Sequence, residues 1–245
     1  MNRQLTLTKC LNVKWEGHAD CQHCAIRKND IFANLDVAKY AALLRPILQY
    51  NFPAKALLYA QGTPATDVYV IRNGIVKLEE TLSDGSVRIV RLLQSGDAVG
   101  IETVLDAHQS YDQTAVILRG AAVCKIPSSV FVKLEKENPE FHRVIMEEWH
   151  RQLNAADKVI VDFSTGTVHD RVARVLINLA ENSKKRNLIE IEMLGVEDIA
   201  ALTSIARESI SRVMANFKRD GLLEKSGPNR MRYNWDGLND LVKHS

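Results

Sequence analysis

The chain has 245 residues, and its 32 Lys and Arg against 30 Asp and Glu leave a net charge of +2. This length favours two domains over one, and 46% hydrophobic with 25% charged residues excludes a disordered or collagen-like chain. No run approaches the ~18 apolar residues of a membrane span. Met1 to Lys9 holds no apolar stretch of the kind a secretory signal needs, so a cytoplasmic location without membrane contact is expected. Four cysteines are too few for a disulfide framework and point to reactive, metal-binding or buried thiols. So mild a charge does not mark a nucleic-acid binder; only the placement of the basic residues can do that.

Residues 1–34 form a polar, irregular segment that holds Cys10, Cys21 and Cys24. From Leu35 to Leu48 the apolar positions Leu35, Val37, Tyr40, Ala41, Leu43, Leu44, Ile47 and Leu48 fall at helical spacing, and Pro46 ends or kinks that helix. From Tyr50 to about Phe131 short apolar runs alternate with the turn signals Asn73-Gly74, Asp84-Gly85 and Ser95-Gly96-Asp97. Val68–Ile71 and Val87–Leu92 read as strands beside them. Several such strands predict a small β-barrel, a sensory domain over residues 35–136.

Pro139 opens a long helix, the core of a dimerisation segment over residues 137–164. On it Met146, Trp149, Leu153, Ala156, Ile160 and Phe163 are spaced 3, 4, 3, 4, 3. That narrow seam, flanked by charges such as Glu147, Glu148 and Arg151, suits two helices packing on each other; a helix lying on its own domain needs a similar stripe. After the polar break Ser164–Thr167, residues 165–245 read as a second domain. Asp170–Leu179 and Val196–Leu202 are helical, Thr203-Ser204-Ile205 turns, and Ala206–Asp220 is a longer helix capped by Gly221. Leu222–Lys225 and Arg230–Tyr233 flank Ser226-Gly227-Pro228-Asn229 as a hairpin. The predicted class is α+β: an N-terminal β-barrel, a long helix and a C-terminal winged helix-turn-helix.

On the Ala206–Asp220 helix, Arg207, Glu208, Ser211 and Arg212 project from one side of the first two turns, the part of a recognition helix that enters a major groove. Arginine can donate twice to guanine, glutamate accepts from the cytosine amino group, and serine meets a base edge or a phosphate. Lys218, Arg219, Lys225, Arg230 and Arg232 add cations suited to flanking phosphates. A solvated helix face would carry a similar mixture, but the helix-turn-helix setting and the basic hairpin favour double-stranded DNA as partner. No phosphate loop of the Walker type and no Gly-x-Ser-x-Gly elbow is present, and Cys21-x-x-Cys24 lies in a polar segment with no strand before it. No enzyme is expected, a thiol oxidoreductase included.

Barrel, long helix and winged helix in this order resemble the Crp/Fnr superfamily of bacterial transcription regulators. Gln61-Gly62, Val68–Gly74 and Gly96-Asp97-Ala98-Val99-Gly100 resemble its barrel, and Arg207–Arg212 its recognition helix. The resemblance implies a homodimer that binds a two-fold symmetric promoter site and contacts RNA polymerase. Glu208, Ser211 and Arg212 suggest a TTGAT-like half-site, whereas Arg207 resembles the cyclic-AMP receptors with their TGTGA-like one. Those receptors hold the nucleotide phosphate with a glutamate after the Gly-Asp-x-x-Gly turn and a later Arg-Ser pair. Here Glu102 is displaced by one position and the pair reads Tyr111-Asp112, or Gln113-Thr114 in a shifted register, without a cation in either. This argues against cyclic-nucleotide binding.

Cys21-Gln22-His23-Cys24 and Cys124 resemble instead the oxygen-sensing Fnr branch, whose cysteines hold an iron–sulfur cluster. In that branch a third N-terminal cysteine follows six positions after the pair, where this chain has Asp30. Asp30 or Cys10 completes the set, or no cluster forms. Zinc with His18 and His23, a redox-active pair, and a merely buried Cys124 are the other readings. Softness favours thiolate over carboxylate for iron, so the expected ligands of a 4Fe-4S cluster are Cys10, Cys21, Cys24 and Cys124. The family also has a glycine and a threonine where this chain has Ser204 and Ala206, and loss of that hydroxyl cap costs about 1 kcal/mol unless Ser204 replaces it.

Overall fold

The computed structural model describes residues 13–24, 26, 31–104, 110–184, 190–228 and 230–243. They divide into two compact units, one running to Ser86 and including Val90–Asn154, the other comprising Val87–Ile89 and the chain from Ala155 onward. Cys10 and Asp30 lie outside the described residues. No described helix is long and apolar enough to cross a membrane.

The first unit is built on an antiparallel sheet. Its described strands are β1 (Lys14–His18), β2 (Leu48–Phe52), β3 (Leu57–Tyr59), β4 (Asp67–Thr81), β5 (Val87–Gln94, from Val90 on in this unit), β6 (Ala98–Val99) and β7 (Thr114–Pro127). They run in the order β1-β2-β7-β4-β5, with β3 on β7 and β6 on β4. This path is open, so the predicted barrel is a jelly roll that hydrogen bonding among the described strands does not close. The Asp84-Gly85 turn joins β4 to β5, where the Leu82 N–H donates to the Ser86 carbonyl at 2.8 Å.

Asn73-Gly74 does not end a strand as expected; it lies inside β4 at successive register shifts against β7. Its glycine is used for a bulge. Gly74 has φ +97°, and a Cβ there would fall 2.6 Å from the Gly120 carbonyl oxygen.

The helix expected over Leu35–Leu48 shortens to α1 (Ala41–Leu44), because Leu48 already pairs with β7. Leu35, Val37, Tyr40, Leu44 and Ile47 are buried, largely through turns, whereas Leu43 and Leu48 are half-buried and Ala41 is exposed. In this unit β1 and α2 (Ser128–Glu137) lacked a sequence signal. Strand β1 is mostly exposed and shows no apolar alternation, and α2 reads as a continuation of the apolar strand region. Phe32, Phe131 on α2 and Phe141 stack with centroids 5.9–6.2 Å apart in one core. Tyr59, Tyr69 and Tyr111 belong to a second core cluster.

Helix α3 (Glu140–Ser164) begins directly after Pro139. The seam divides along it. Met146, Leu153 and Ile160, seven residues apart, are 54%, 60% and 63% exposed. Trp149 packs on the first unit's core and Phe163 is buried, so these two are not part of the exposed stripe.

The second unit holds α4 (Val168–Lys184), β8 (Glu190–Glu192), α5 (Val196–Thr203), α6 (Arg207–Arg219), β9 (Leu223–Gly227), β10 (Arg230–Tyr233) and α7 (Trp235–Lys243). Helix α4 starts in a reciprocal cap. The Thr167 N–H donates to the Asp170 carboxylate at 2.8 Å, and the Asp170 N–H returns to the Thr167 hydroxyl at 3.3 Å. Its predicted inward residues Val172, Val175, Leu176 and Leu179 are buried. Strand β10 pairs with both β9 and β8, and β8 and α7 were not foreseen.

Candidate DNA-reading helix and cysteine site

Helix α6 buries Ile210, Val213, Met214 and Phe217 and leaves Arg207, Glu208, Ser211 and Arg212 exposed on the opposite side. The 3.6-residue period sets this division, since both groups repeat at helical spacing. Gly221 terminates the helix at φ +70°, with the Leu222 N–H donating to the Phe217 carbonyl at 2.9 Å.

At its start Ala206 is the N-cap, extended at φ −60° and ψ 140°, and no side chain caps it. Ser204 therefore does not supply the missing hydroxyl. It caps α5 instead, in the left-handed region at φ 56°, with its N–H donating to the Ala200 carbonyl at 2.8 Å. A Cβ in that region is strained. Ser204→Gly is expected to stabilise the second unit by about 1 kcal/mol, read as a higher Tm with DNA affinity unchanged.

Arg207 is not alone. Its Nη1 lies 3.1 Å from Oε1 of Glu197, in the first turn of α5. Sequence reasoning missed Glu197, because nothing in its spacing to Arg207 announces a contact across the turn. Lys225 and Arg230 are exposed on the β9–β10 hairpin. Arg232 on β10 faces Glu190 at 3.8 Å.

The described cysteines come together in the first unit. Cys21 and Cys24 sit half-buried in the loop after β1, and Cys124 is buried on β7 opposite Gln49 of β2 and Val70 of β4. All three line one cavity of about 20 Å³, with Asp20 and Phe32 on its wall. That volume holds about one water. Asp20 shapes the loop by accepting the Gln22 and His23 N–H groups, each at 3.2 Å, and its other oxygen meets His23 Nδ1 at 2.9 Å. The bond to the His23 side chain, more than any other contact, holds the Asp20 carboxyl below the usual carboxylate range.

His18 Nδ1 is 3.0 Å from the Arg45 carbonyl oxygen, and as in His23 the contact uses Nδ1, so Nε2 is the nitrogen either histidine would offer to zinc. Three thiols on one cavity are the soft donors a cluster takes. Among the described residues, however, no three Cys, His, Asp or Glu are grouped closely enough to hold a metal ion.

Tyr111, the first position of the Tyr111-Asp112 register, is used for packing. Tyr111 is buried and stacks on Tyr59 with centroids 3.7 Å apart. Its hydroxyl donates to the Asp67 carbonyl at 2.8 Å, and burial pushes its pKa up to about 12. It offers a neutral phenol, not the cation a phosphate needs.

Residues 49–138 match the model of the cyclic nucleotide-binding domain, and residues 170–241 match that of the Crp-like helix-turn-helix domain. The transcriptional activator protein anr of Pseudomonas aeruginosa is 24% identical over 226 residues, 90% of this chain and 91% of that protein. A CRP-like cAMP-activated global transcriptional regulator of Mycobacterium tuberculosis is 23% identical over 200 residues, 80% of this chain and 89% of that one. The fold is similar to that of FixK2 from Bradyrhizobium japonicum, with a TM-score of 0.68 at 22% identity over 80% of this chain and 96% of that chain. With both domains matched and relatives that are transcription regulators, the chain belongs to the Crp/Fnr superfamily of transcription regulators and is not an enzyme.

Proposed function

We propose that the protein is a homodimeric, oxygen- or redox-responsive regulator of the Fnr-like branch that binds promoter DNA. Arg207, Glu208, Ser211 and Arg212 of α6 read each half-site. Contact with RNA polymerase follows from the same resemblance. The observation that carries the sensory part is the convergence of Cys21, Cys24 and Cys124 on one cavity. The relative named anr, with its Fnr-like counterparts, supports the same branch.

Cys21, Cys24 and Cys124, with Cys10 as fourth ligand, would hold a 4Fe-4S cluster, which when bound supplies an oxygen-labile redox centre. The chain's own residues then carry the signal. Asp20 fixes the loop that presents Cys21 and Cys24. Phe32 lines the same cavity and stacks at 6.2 Å on Phe141, in the first turn of α3. A shift of the loop therefore reaches the helix that bears the exposed stripe.

The test is anaerobic reconstitution with iron and sulfide, followed by absorption spectra and iron, sulfide and zinc analysis. Brown protein is expected, and Cys10→Ser should lose more cluster than Asp30→Ala. The reverse ranking makes Asp30 the ligand. Colourless protein removes the cluster and leaves the same regulator class with the thiols themselves, zinc or a small molecule as its sensory chemistry.

A further inference from the structure

Arg207 and Glu197 stand in solvent, 65% and 76% exposed at the side chain, and still meet at 3.1 Å. An exposed pair of this kind adds little to folding stability. Its geometry matters more. The contact uses Nη1 of the guanidinium, the nitrogen on the far side from the Nε–Nη2 edge, and so leaves that edge with two parallel N–H groups. Two parallel donors are what the O6 and N7 of guanine accept in a major groove. A carboxylate is also well placed at Glu197, in the first turn of α5, where the helix N-terminus favours negative charge.

We infer that Glu197 is a positioning residue for base reading: it holds Arg207 by Nη1 and presents the Nε–Nη2 edge to a guanine. This rests on the reading of α6 as the helix that enters the groove. Glu197 touches no base itself. It narrows the orientations of a long, flexible side chain before DNA arrives, which sharpens discrimination at one base pair. Its own charge works the other way, because a carboxylate near the duplex repels every phosphate regardless of sequence. Removing that charge should therefore separate the two effects.

The experiment uses the full-length protein and a palindromic duplex enriched by the wild-type protein from random sequence. Equilibrium binding is measured to that duplex, to each single-base-pair variant and to random duplex, at two salt concentrations. Glu197→Ala and Glu197→Gln should bind random duplex up to several-fold more tightly. At one guanine in each half-site their preference should fall by about 5- to 10-fold, within the span of a bidentate contact. Other positions should not change. Arg207→Ala should lose the same preference, and adding Glu197→Ala to it should lose no more.

Uniform gains across all sequences would overturn the proposal and reduce Glu197 to a repelling charge. An unchanged profile overturns it as well. Arg212→Ala separates this failure from that of the underlying reading, since it must relax a different base pair. If it relaxes none, the base-reading assignment of α6 falls, and the role of Glu197 falls with it. Unfolding curves that overlay the wild type show that the variants are folded.

Discussion

Leu153→Glu is expected to convert the protein to a monomer and to lower its affinity for a palindromic promoter site by at least about 100-fold, because each monomer then holds a single half-site. The exposed stripe of Met146, Leu153 and Ile160 repeats every seven residues, so all three lie on nearly one line of α3. In a two-fold pairing the central residue meets its own copy. Two carboxylates there must lose their water facing like charge, which is among the most costly arrangements an interface can hold. The substitution should leave the fold intact, since Leu153 is 60% exposed and contributes little to its own core. Light scattering reads the oligomeric state, and urea unfolding shows that the chain remains folded. A variant that stays dimeric would place the interface elsewhere.

Much of this architecture could be read from residue patterns, for identifiable reasons. Helices α4 and α6 bury one face and expose the other, so their 3.6-residue period stands out, and Gly221 marks a stop that only a left-handed cap explains. The β4–β5 turn is equally plain, with Asp84-Gly85 between two apolar runs. The misses arose where one signal serves two structures. Asn-Gly fits a tight turn and a bulge alike, and only the approach of β7 to Gly74 decides for the bulge. Trp149 and Phe163 share the heptad spacing of Leu153, yet one packs on its own core and the other is buried.

The functional residues divide the same way. Cys21 and Cys24 announce themselves by spacing, but that Cys124 meets them depends on the register of β7 against β2 and β4, which no local pattern encodes. The contact of Glu197 with Arg207 depends likewise on how α5 and α6 cross.

Glu148 is the clearest case of a charge whose role the sequence hid. It reads as a solvated flank of the seam, beside Glu147, but is only 5% exposed, and Gln152 one turn later is 4% exposed. The Glu148 carboxylate accepts the Ala98 N–H at 3.3 Å and the Gln152 amide at 2.7 Å, and it pairs with Arg151. Gln152 also donates to the Ala98 carbonyl at 2.8 Å and accepts from Arg91 at 3.1 Å. Arg151 reaches Asp97 at 3.7 Å. This network ties α3 to the β5–β6 turn through both backbone groups of Ala98.

Glu148→Ala is expected to cost about 3–5 kcal/mol of unfolding free energy, because it removes the shared acceptor and leaves buried donors unpaired. Glu148→Gln keeps the shape and one acceptor oxygen and should cost less. Glu147→Ala, one residue away with an exposed side chain that pairs with Arg143 at 2.9 Å, should stay within about 0.5 kcal/mol of wild type. Urea unfolding of the three variants decides. If Glu148→Ala costs no more than Glu147→Ala, the network is passive and α3 is held by its apolar contacts alone. If the ranking is as expected, a buried carboxylate fixes the register of α3 on the sheet, a task that apolar packing of Ile145 and Trp149 would perform with less directional precision.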